Sequence, residues 1–230
     1  MDPTAEEALR RETVDVDGLT LSPHAGSVDY AVRNAVGLEE AVALIDRACA
    51  ADLVSLAELR AWADRHDGHR WITRLRKAVA LADENCWSPM ETVMRLCWRG
   101  LGITRVVCNR PVFALDGTFL GTPDVLDVDT GTAGEYDGAL HLAGRQRSKD
   151  IRREGLFRRH GLEYVEMVAG DLADASDFER RTLDARARAV TLERRWTLTP
   201  PPWWVETHTV ALRRALTDHQ RERFLRWQAG

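Results

Sequence analysis

Acidic residues cluster in the segment 121–141, GTPDVLDVDTGTAGEYDGALH. Their types and spacing are those of residues that could perform chemistry together. Asp124 follows a proline near its start, and Glu135 and Asp137 come near its end, with His141 just beyond. Between them, Asp-Thr-Gly-Thr at 129–132 is typical of a turn that folds two strands into a hairpin. Such a hairpin is expected to bring Asp124 and Glu135 side by side.

Paired carboxylates on neighbouring strands are hard oxygen ligands for a divalent cation, with Mg²⁺ the usual ion and Mn²⁺ an alternative. Phosphodiester hydrolysis requires neutralisation of the phosphate charge and deprotonation of water, and a carboxylate-held metal supplies both. The spacing therefore predicts a phosphodiester-cleaving site. The alternative is a solvated hairpin. Strand alternation places Glu135 and Asp137 on one face and Tyr136 on the other, and mutual repulsion of the two acids disfavours that alternative.

A helix is predicted immediately upstream. Ser88 is a favourable N-cap, Pro89 fits the first helical position, and Glu91 completes a capping box. The apolar positions that follow have helical periodicity: Val93, Met94, Leu96, Cys97 and Leu101. Capping explains Glu91 by itself; the alternative is that its carboxylate assists a metal through water.

A basic helix is predicted downstream, at 145–159 (RQRSKDIRREGLFRR). It has six arginines and one lysine against two acids, on a chain of net charge −4. Ile151, Leu156 and Phe157 form only a narrow apolar stripe. A local positive field of this kind suits a phosphate backbone, and an ordinary solvated helix face is the alternative.

The remaining pattern predicts strands at 104–115, 118–128 and 161–168, and a helix from Asp171 to about Arg195. From Ser88 the order is helix, three strands, helix, strand, helix. This order resembles the core of PD-(D/E)XK nucleases, and the closer likeness is to actinobacterial proteins related to very-short-patch-repair endonucleases. It covers about residues 87–190, and the matching motifs are Ser88-Pro89-Met90-Glu91, Pro123-Asp124, Glu135-Tyr136-Asp137-Gly138, His141 and Asp150-Ile151-Arg152-Arg153.

The resemblance implies an α/β fold with a restriction-endonuclease-like core, preceded by a small helical N-terminal region. It implies that Asp124 and Glu135 are metal ligands and that Glu91 is an accessory acid. His141 would be a general base or would orient water. The family's lysine is replaced here by Asp137, and the substitutes are His141, Lys149 or Arg153. The residues expected to bind DNA are Arg145, Arg147, Lys149, Arg152 and Arg153.

Composition agrees with a soluble globular protein: of 230 residues, 44% are hydrophobic and 30% charged. No apolar run approaches the roughly 18 residues of a membrane span, and the polar N-terminus is unlike a signal peptide. The four cysteines lack metal-ligand spacing, which predicts reduced thiols in a cytoplasmic protein.

Three regions are predicted: a helical N-terminal region at 1–85, a nuclease domain at 86–195, and a linker with a C-terminal helix at 196–230. The first contains a hairpin at 14–21 and helices at about 28–49, 56–65 and 70–82. A winged-helix-like segment often precedes such a region in the resembling proteins, so a DNA-reading helix is expected to be missing here. In the third region a helix is expected from about Val205 to Trp227. Trp203 and Trp204 are expected to pack back onto the domain; the alternative is a surface for a second copy or another protein.

The sequence therefore predicts a Mg²⁺-dependent DNA endonuclease of restriction, repair or phage defence. The alternative is a non-catalytic DNA-binding regulator, or an antitoxin-like component, on the same fold. The complete set of acids favours catalysis, and the missing lysine favours the alternative.

The basic helix gives a first prediction. Each phosphate contact releases counterions, so duplex affinity should fall with salt at a log–log slope of about −0.9 per contact. Replacing Arg147, Arg152 and Arg153 with glutamine should flatten that slope by up to about 3, as measured by fluorescence anisotropy. Glutamine favours helix, so circular dichroism should be unchanged. An unchanged slope in the folded variant would mean that the cations form only a solvated face.

Overall fold

The structure, a computed structural model, describes residues 13–137 and 153–228. It is a mixed α/β protein that divides into two compact units. The first unit comprises Met1–Pro89 with Thr209–Gly230, and the second comprises Met90–His208. The predicted third region, 196–230, is therefore divided between the two units.

The secondary structure of the first unit begins with a short hairpin and continues with helices. These are β1 (Val14–Val16), β2 (Leu19–Leu21), α1 (His24–Asn34), α2 (Leu38–Ala50), α3 (Leu56–Arg65) and α4 (Ile72–Leu81). The chain then forms α5 (Pro89–Gly100), β3 (Val106–Cys108), β4 (Val112–Ala114), β5 (Phe119–Gly121), β6 (Val125–Asp127) and β7 (Thr132–Asp137). After a helix described over 153–159, here α6, come β8 (Glu163–Val168), a 3₁₀ turn (Ala169–Leu172), α7 (Ser176–Ala189), β9 (Trp196–Thr197), α8 (Val210–Arg214) and α9 (Asp218–Gln228).

The helices of the first unit pack around a core that includes Trp62, whose indole N–H donates to the buried Asp29 at 3.1 Å. The hairpin and the helix at 56–65 are confirmed, and Ser55 forms the capping box of α3 with Glu58. The helix predicted at 28–49 is instead two helices. Gly37 lies at the break, where its low helix propensity favours an interruption.

The C-terminal helix expected from Val205 is also two helices, α8 and α9, and it begins only after Thr209. Arg213 of α8 is fully buried within the first unit. Its guanidinium donates to Asp52 at 2.7 Å and to the carbonyl oxygens of Cys49 and Glu84 at 2.7 and 2.9 Å. A buried guanidinium requires such partners, and they fix this segment to the first unit.

Two small sheets organise the second unit. The first has the strand order β3-β6-β7-β8, in which β3, β6 and β7 are antiparallel and β8 is parallel to β7. The second has the order β5-β4-β9. The predicted three-stranded meander is present as β3-β6-β7, while β4 and β5 leave it to form the other sheet.

Each long strand expected at 104–115 and 118–128 is thus broken in two. The first break follows Asn109, whose φ is 47°, and includes Pro111. The second falls at Thr122-Pro123, after Gly121. Proline has no N–H to donate to a strand pair, so a continuous ladder is not possible at either position. The strand expected at 161–168 is confirmed as β8, whereas the helix expected from Asp171 is a 3₁₀ turn followed by α7.

A hydrophobic cluster connects both sheets with α6 in the second unit. Its buried members are Val112, Ala114, Leu120, Leu126, Ala133, Phe157, Leu162 and Trp196. The apolar stripe predicted for the basic helix is therefore correct at Phe157, which is fully buried, and Leu156 packs against the same cluster. This contact places α6 beside the β6–β7 hairpin.

Gly134 of β7 allows the sheet to approach α5, and this contact gives the second prediction. A Cβ at Gly134 would lie 2.8 Å from the ring of Trp98 and 2.9 Å from the sulfur of Met94. Both side chains are fully buried and cannot move aside. Gly134→Ala should therefore destabilise the protein by about 1–3 kcal/mol in urea denaturation. Gly100→Ala, at the end of the same helix, meets open space and should not destabilise; equal stability of both variants would contradict this packing.

Candidate functional site

The antiparallel register of β6 and β7 brings the two predicted ligands together. Val125 pairs with Gly134, Leu126 with Ala133 and Asp127 with Thr132. Continued by one residue, this register places Asp124 opposite Glu135. Opposed residues of an antiparallel pair project from the same face of the sheet, which is the arrangement expected for neighbouring carboxylates. Arg153 pairs with Glu135 and its charge also acts on Asp124, in agreement with that arrangement. The hairpin prediction is confirmed, with the turn at 128–131 where 129–132 was predicted, because Thr132 is already part of β7.

Asp124 lies just before β6 and is half-buried. One of its carboxylate oxygens accepts a hydrogen bond from the backbone N–H of Tyr136 at 2.8 Å. Partial burial raises the pKa of Asp124, and this effect outweighs the opposing effects of the Tyr136 N–H and the Arg153 charge. Asp124 forms no ion pair with a described residue. It is therefore a half-buried acid whose negative charge a bound cation would stabilise.

Glu135 is also buried, and it forms an ion pair with Arg153 of α6. Arg153 precedes the buried Phe157 by one helical turn, so both side chains lie on the face that packs against the sheets. Gly121 makes this approach possible, because a Cβ there would lie 3.0 Å from the Phe157 ring and 3.4 Å from Cδ of Arg153. The core thereby fixes a cation beside Glu135.

Glu91 in the first turn of α5 is connected to the same place through Asn109. Glu91 is buried, and its Oε2 accepts a hydrogen bond from the Asn109 side-chain amide at 2.6 Å. The backbone N–H of Asn109 donates to the carbonyl oxygen of Asp124 at 3.0 Å. The predicted accessory acid is thus tied to the segment that carries Asp124.

Of the other predicted site residues, Arg153 lies in this cluster through its ion pair with Glu135, and its predicted contact with phosphate stays a prediction. Asp137 is exposed at the end of β7. The remaining predicted residues lie outside the described residues: His141, Arg145, Arg147, Lys149 and Arg152.

Acidic residues at the opposite end of the same strands have a different environment from that of Asp124 and Glu135. Asp127, fully buried at the end of β6, pairs with Arg186 of α7 at 2.8 Å. Glu163, at the start of β8, pairs with Arg188 at 3.0 Å. Asp127 also accepts hydrogen bonds from Asp129 N and Thr130 Oγ1. Each of these acids has its own arginine, so they attach α7 to the sheet and have a structural role.

Asn109 is the site residue that the sequence analysis missed. A signal was present, because Asn-Arg-Pro interrupts an apolar strand pattern and asparagine tolerates a positive φ. The hydrogen bond from the Tyr136 backbone to Asp124 has no signal in the sequence, since every residue other than proline carries that N–H.

The chain gives no match to protein-family models, to curated proteins or to solved structures. Among the described residues, no helix is long and apolar enough to cross a membrane. Within residues 13–137 and 153–228 there is also no group of three or more His, Cys, Asp or Glu side chains that could hold a metal ion. The arrangement to be explained is therefore two carboxylates with one arginine.

Burial of Asp124 predicts how the stability of the metal-free protein depends on pH. A raised pKa means that ionised Asp124 disfavours the folded state, a cost that appears as pH rises through that pKa. Asp124→Asn can still accept from Tyr136 and should be at least as stable as wild type near pH 7. Its advantage should shrink as pH falls through the raised pKa of Asp124, because the wild-type carboxyl then becomes neutral in the folded protein.

Urea denaturation in EDTA across this pH range measures the effect. The matched control is Asp127→Asn, which removes the charge that pairs with Arg186 and should cost about 1–3 kcal/mol. A loss of stability in Asp124→Asn as large as that in Asp127→Asn would show that Asp124 has the same structural role.

Proposed function

We propose that this protein is a Mg²⁺-dependent DNA endonuclease with Asp124 and Glu135 as its metal ligands. The observation that supports the proposal is the β6–β7 register, which pairs Val125 with Gly134 and, continued by one residue, would set Asp124 opposite Glu135. They are also chemically distinct from the acids at the other end of these strands. Asp127 has its own arginine, whereas Asp124 forms no ion pair with a described residue.

The sheet topology supports the nuclease assignment. An antiparallel β3-β6-β7 meander is followed by α6 and then by β8 parallel to β7, with α5 ahead of the meander. Apart from β4 and β5, which form the second sheet, this order agrees with the order that the sequence resemblance implies for a restriction-endonuclease-like core. Asp124 comes just before the second strand of the meander, where the resemblance expects it within that strand, and Glu135 lies on the third.

Two carboxylates are a suitable ligand set for magnesium, although no larger group of acids is formed by the described residues. Mg²⁺ commonly takes one or two protein carboxylates and completes its shell with water and substrate phosphate oxygens. The raised pKa of Asp124 fits the same assignment, because a buried carboxylate gains most from a nearby cation. When bound, the ion would polarise the phosphate and lower the pKa of a coordinated water.

Residues of the chain would supply the other catalytic roles, which are charge stabilisation, orientation of water and proton transfer. A guanidinium has N–H donors and no acceptor, so Arg153 can stabilise negative charge but cannot deprotonate water. It therefore supplies the positive charge of the family's lysine, whose position is occupied by the exposed Asp137. Glu91, held by Asn109, would orient water near Asp124, and His141 would accept a proton.

A non-catalytic DNA-binding protein is the second candidate, and one contact favours it. Arg153 already neutralises Glu135 by a direct ion pair. A permanent internal cation at this position would make a metal ion unnecessary for folding. Metal affinity therefore separates the two candidates before cleavage is considered.

Plasmid cleavage in Mg²⁺, Mn²⁺ or EDTA tests the proposal. Wild type should convert supercoiled plasmid to nicked or linear forms with either metal and not in EDTA. Asp124→Asn and Glu135→Gln should each reduce the rate by at least about 100-fold, because even outer-shell partners of a metal contribute 10–100-fold. Glu163→Gln is the control, since Glu163 is a comparably buried strand glutamate paired with an arginine, and it should cleave normally.

Calorimetric titration with Mg²⁺ is a second test of the proposed metal site. Wild type should bind the ion, and Asp124→Asn should bind it at least about tenfold more weakly, while remaining folded. Equal affinity of the two proteins would remove Asp124 from the site. Duplex binding with neither metal binding nor cleavage would favour the non-catalytic candidate.

A further inference from the structure

Asn109 occupies the corner where the chain leaves β3 and turns towards β4. It is 4% exposed and has a φ of 47°, in the left-handed region. Residues other than glycine seldom adopt this conformation, and asparagine is among those that tolerate it best. The backbone at this corner therefore restricts the residue to a few types.

Two donors of Asn109 reach two different elements. Its backbone N–H binds the carbonyl oxygen of Asp124, and its side-chain amide binds Oε2 of Glu91 at 2.6 Å. The backbone contact is available to any residue except proline. The contact with Glu91 requires a short side-chain donor, because glycine has none and aspartate would present a negative charge to a carboxylate.

We propose that Asn109 is a positioning residue that holds the Glu91 carboxylate in a fixed relation to Asp124. The inference rests on the proposed function, since it gives Glu91 a role through water at the metal held by Asp124 and Glu135, and not the role of a third ligand. Hydrogen bonds to ionised acceptors are among the stronger ones, so the Asn109 amide contributes to the orientation of the buried Glu91 carboxylate. Asn109 itself touches neither metal nor substrate; it acts through Glu91, as outer-shell partners of metal ligands do.

Asn109→Gly isolates this role, because glycine accepts the positive φ and removes only the side chain. It is compared with Glu91→Gln, with the double variant, and with Asn85→Gly. Asn85 is a buried asparagine of the first unit that accepts a side-chain hydrogen bond from Trp87, so it serves as the control. Each protein is assayed by Mg²⁺ calorimetry and, without metal, by urea denaturation.

Asn109→Gly should bind Mg²⁺ about 10–100-fold more weakly than wild type. Glu91→Gln should also bind more weakly, and the double variant should be little worse than Glu91→Gln alone, because Asn109 acts through that carboxylate. Asn85→Gly should lose stability but keep wild-type Mg²⁺ affinity.

Wild-type Mg²⁺ affinity in a folded Asn109→Gly would overturn the inference and leave the metal site intact. Additive losses in the double variant would also overturn it, because Asn109 would then act independently of Glu91. Absence of Mg²⁺ binding by wild type itself would reject the metal-dependent function, and the positioning role with it. The wild-type titration thus separates failure of the function from failure of the inference.

Discussion

The register of the β6–β7 hairpin is the constraint on which the candidate site depends. Side chains alternate between the two faces of a strand. If β7 slipped by one residue in its pairing with β6, the Glu135 side chain would move to the other face of the sheet while Asp124 stayed in place. Gly131 in the turn has a φ of 83°. A Cβ there would lie 2.9 Å from the indole nitrogen of Trp196 and 3.2 Å from the carbonyl oxygen of Gly161. The turn is therefore fixed both by its own backbone and by the core around it.

The two ends of this hairpin show different ways of keeping acids in a sheet. At the turn end, Asp127 is matched by Arg186, and Glu163 of the adjacent strand by Arg188, which attaches α7. At the open end one arginine, Arg153, lies near two acids. It pairs with Glu135, and its charge offsets only part of the rise that burial causes in the pKa of Asp124. Among the described residues this end therefore carries more negative than positive charge, and a divalent cation would neutralise the difference.

Patterns that are local in sequence predicted the β6–β7 hairpin correctly, because its turn and its strand alternation both act within one short segment. The division of the strands between two sheets was not predicted. The prolines that interrupt the ladders, Pro111 and Pro123, are visible in the sequence, but the sheet that each half-strand joins depends on tertiary packing. Arg213 illustrates the same limit at the C-terminus: it is buried, and its partners Asp52 and Glu84 are distant in the chain. Asn109 was missed because its partners, too, come from other elements.

The central claim is that Asp124 and Glu135 together hold a divalent ion, and anomalous diffraction from crystals grown with Mn²⁺ tests it most directly. If the two carboxylates hold the ion, an anomalous peak should lie about 2.0–2.2 Å from an oxygen of each one, in the range of oxygen ligands to small divalent ions. Glu135 should then interact with both the ion and Arg153. At saturating Mn²⁺, the absence of a peak between Asp124 and Glu135, with the Glu135–Arg153 pair unchanged, would show that these residues do not form a metal site.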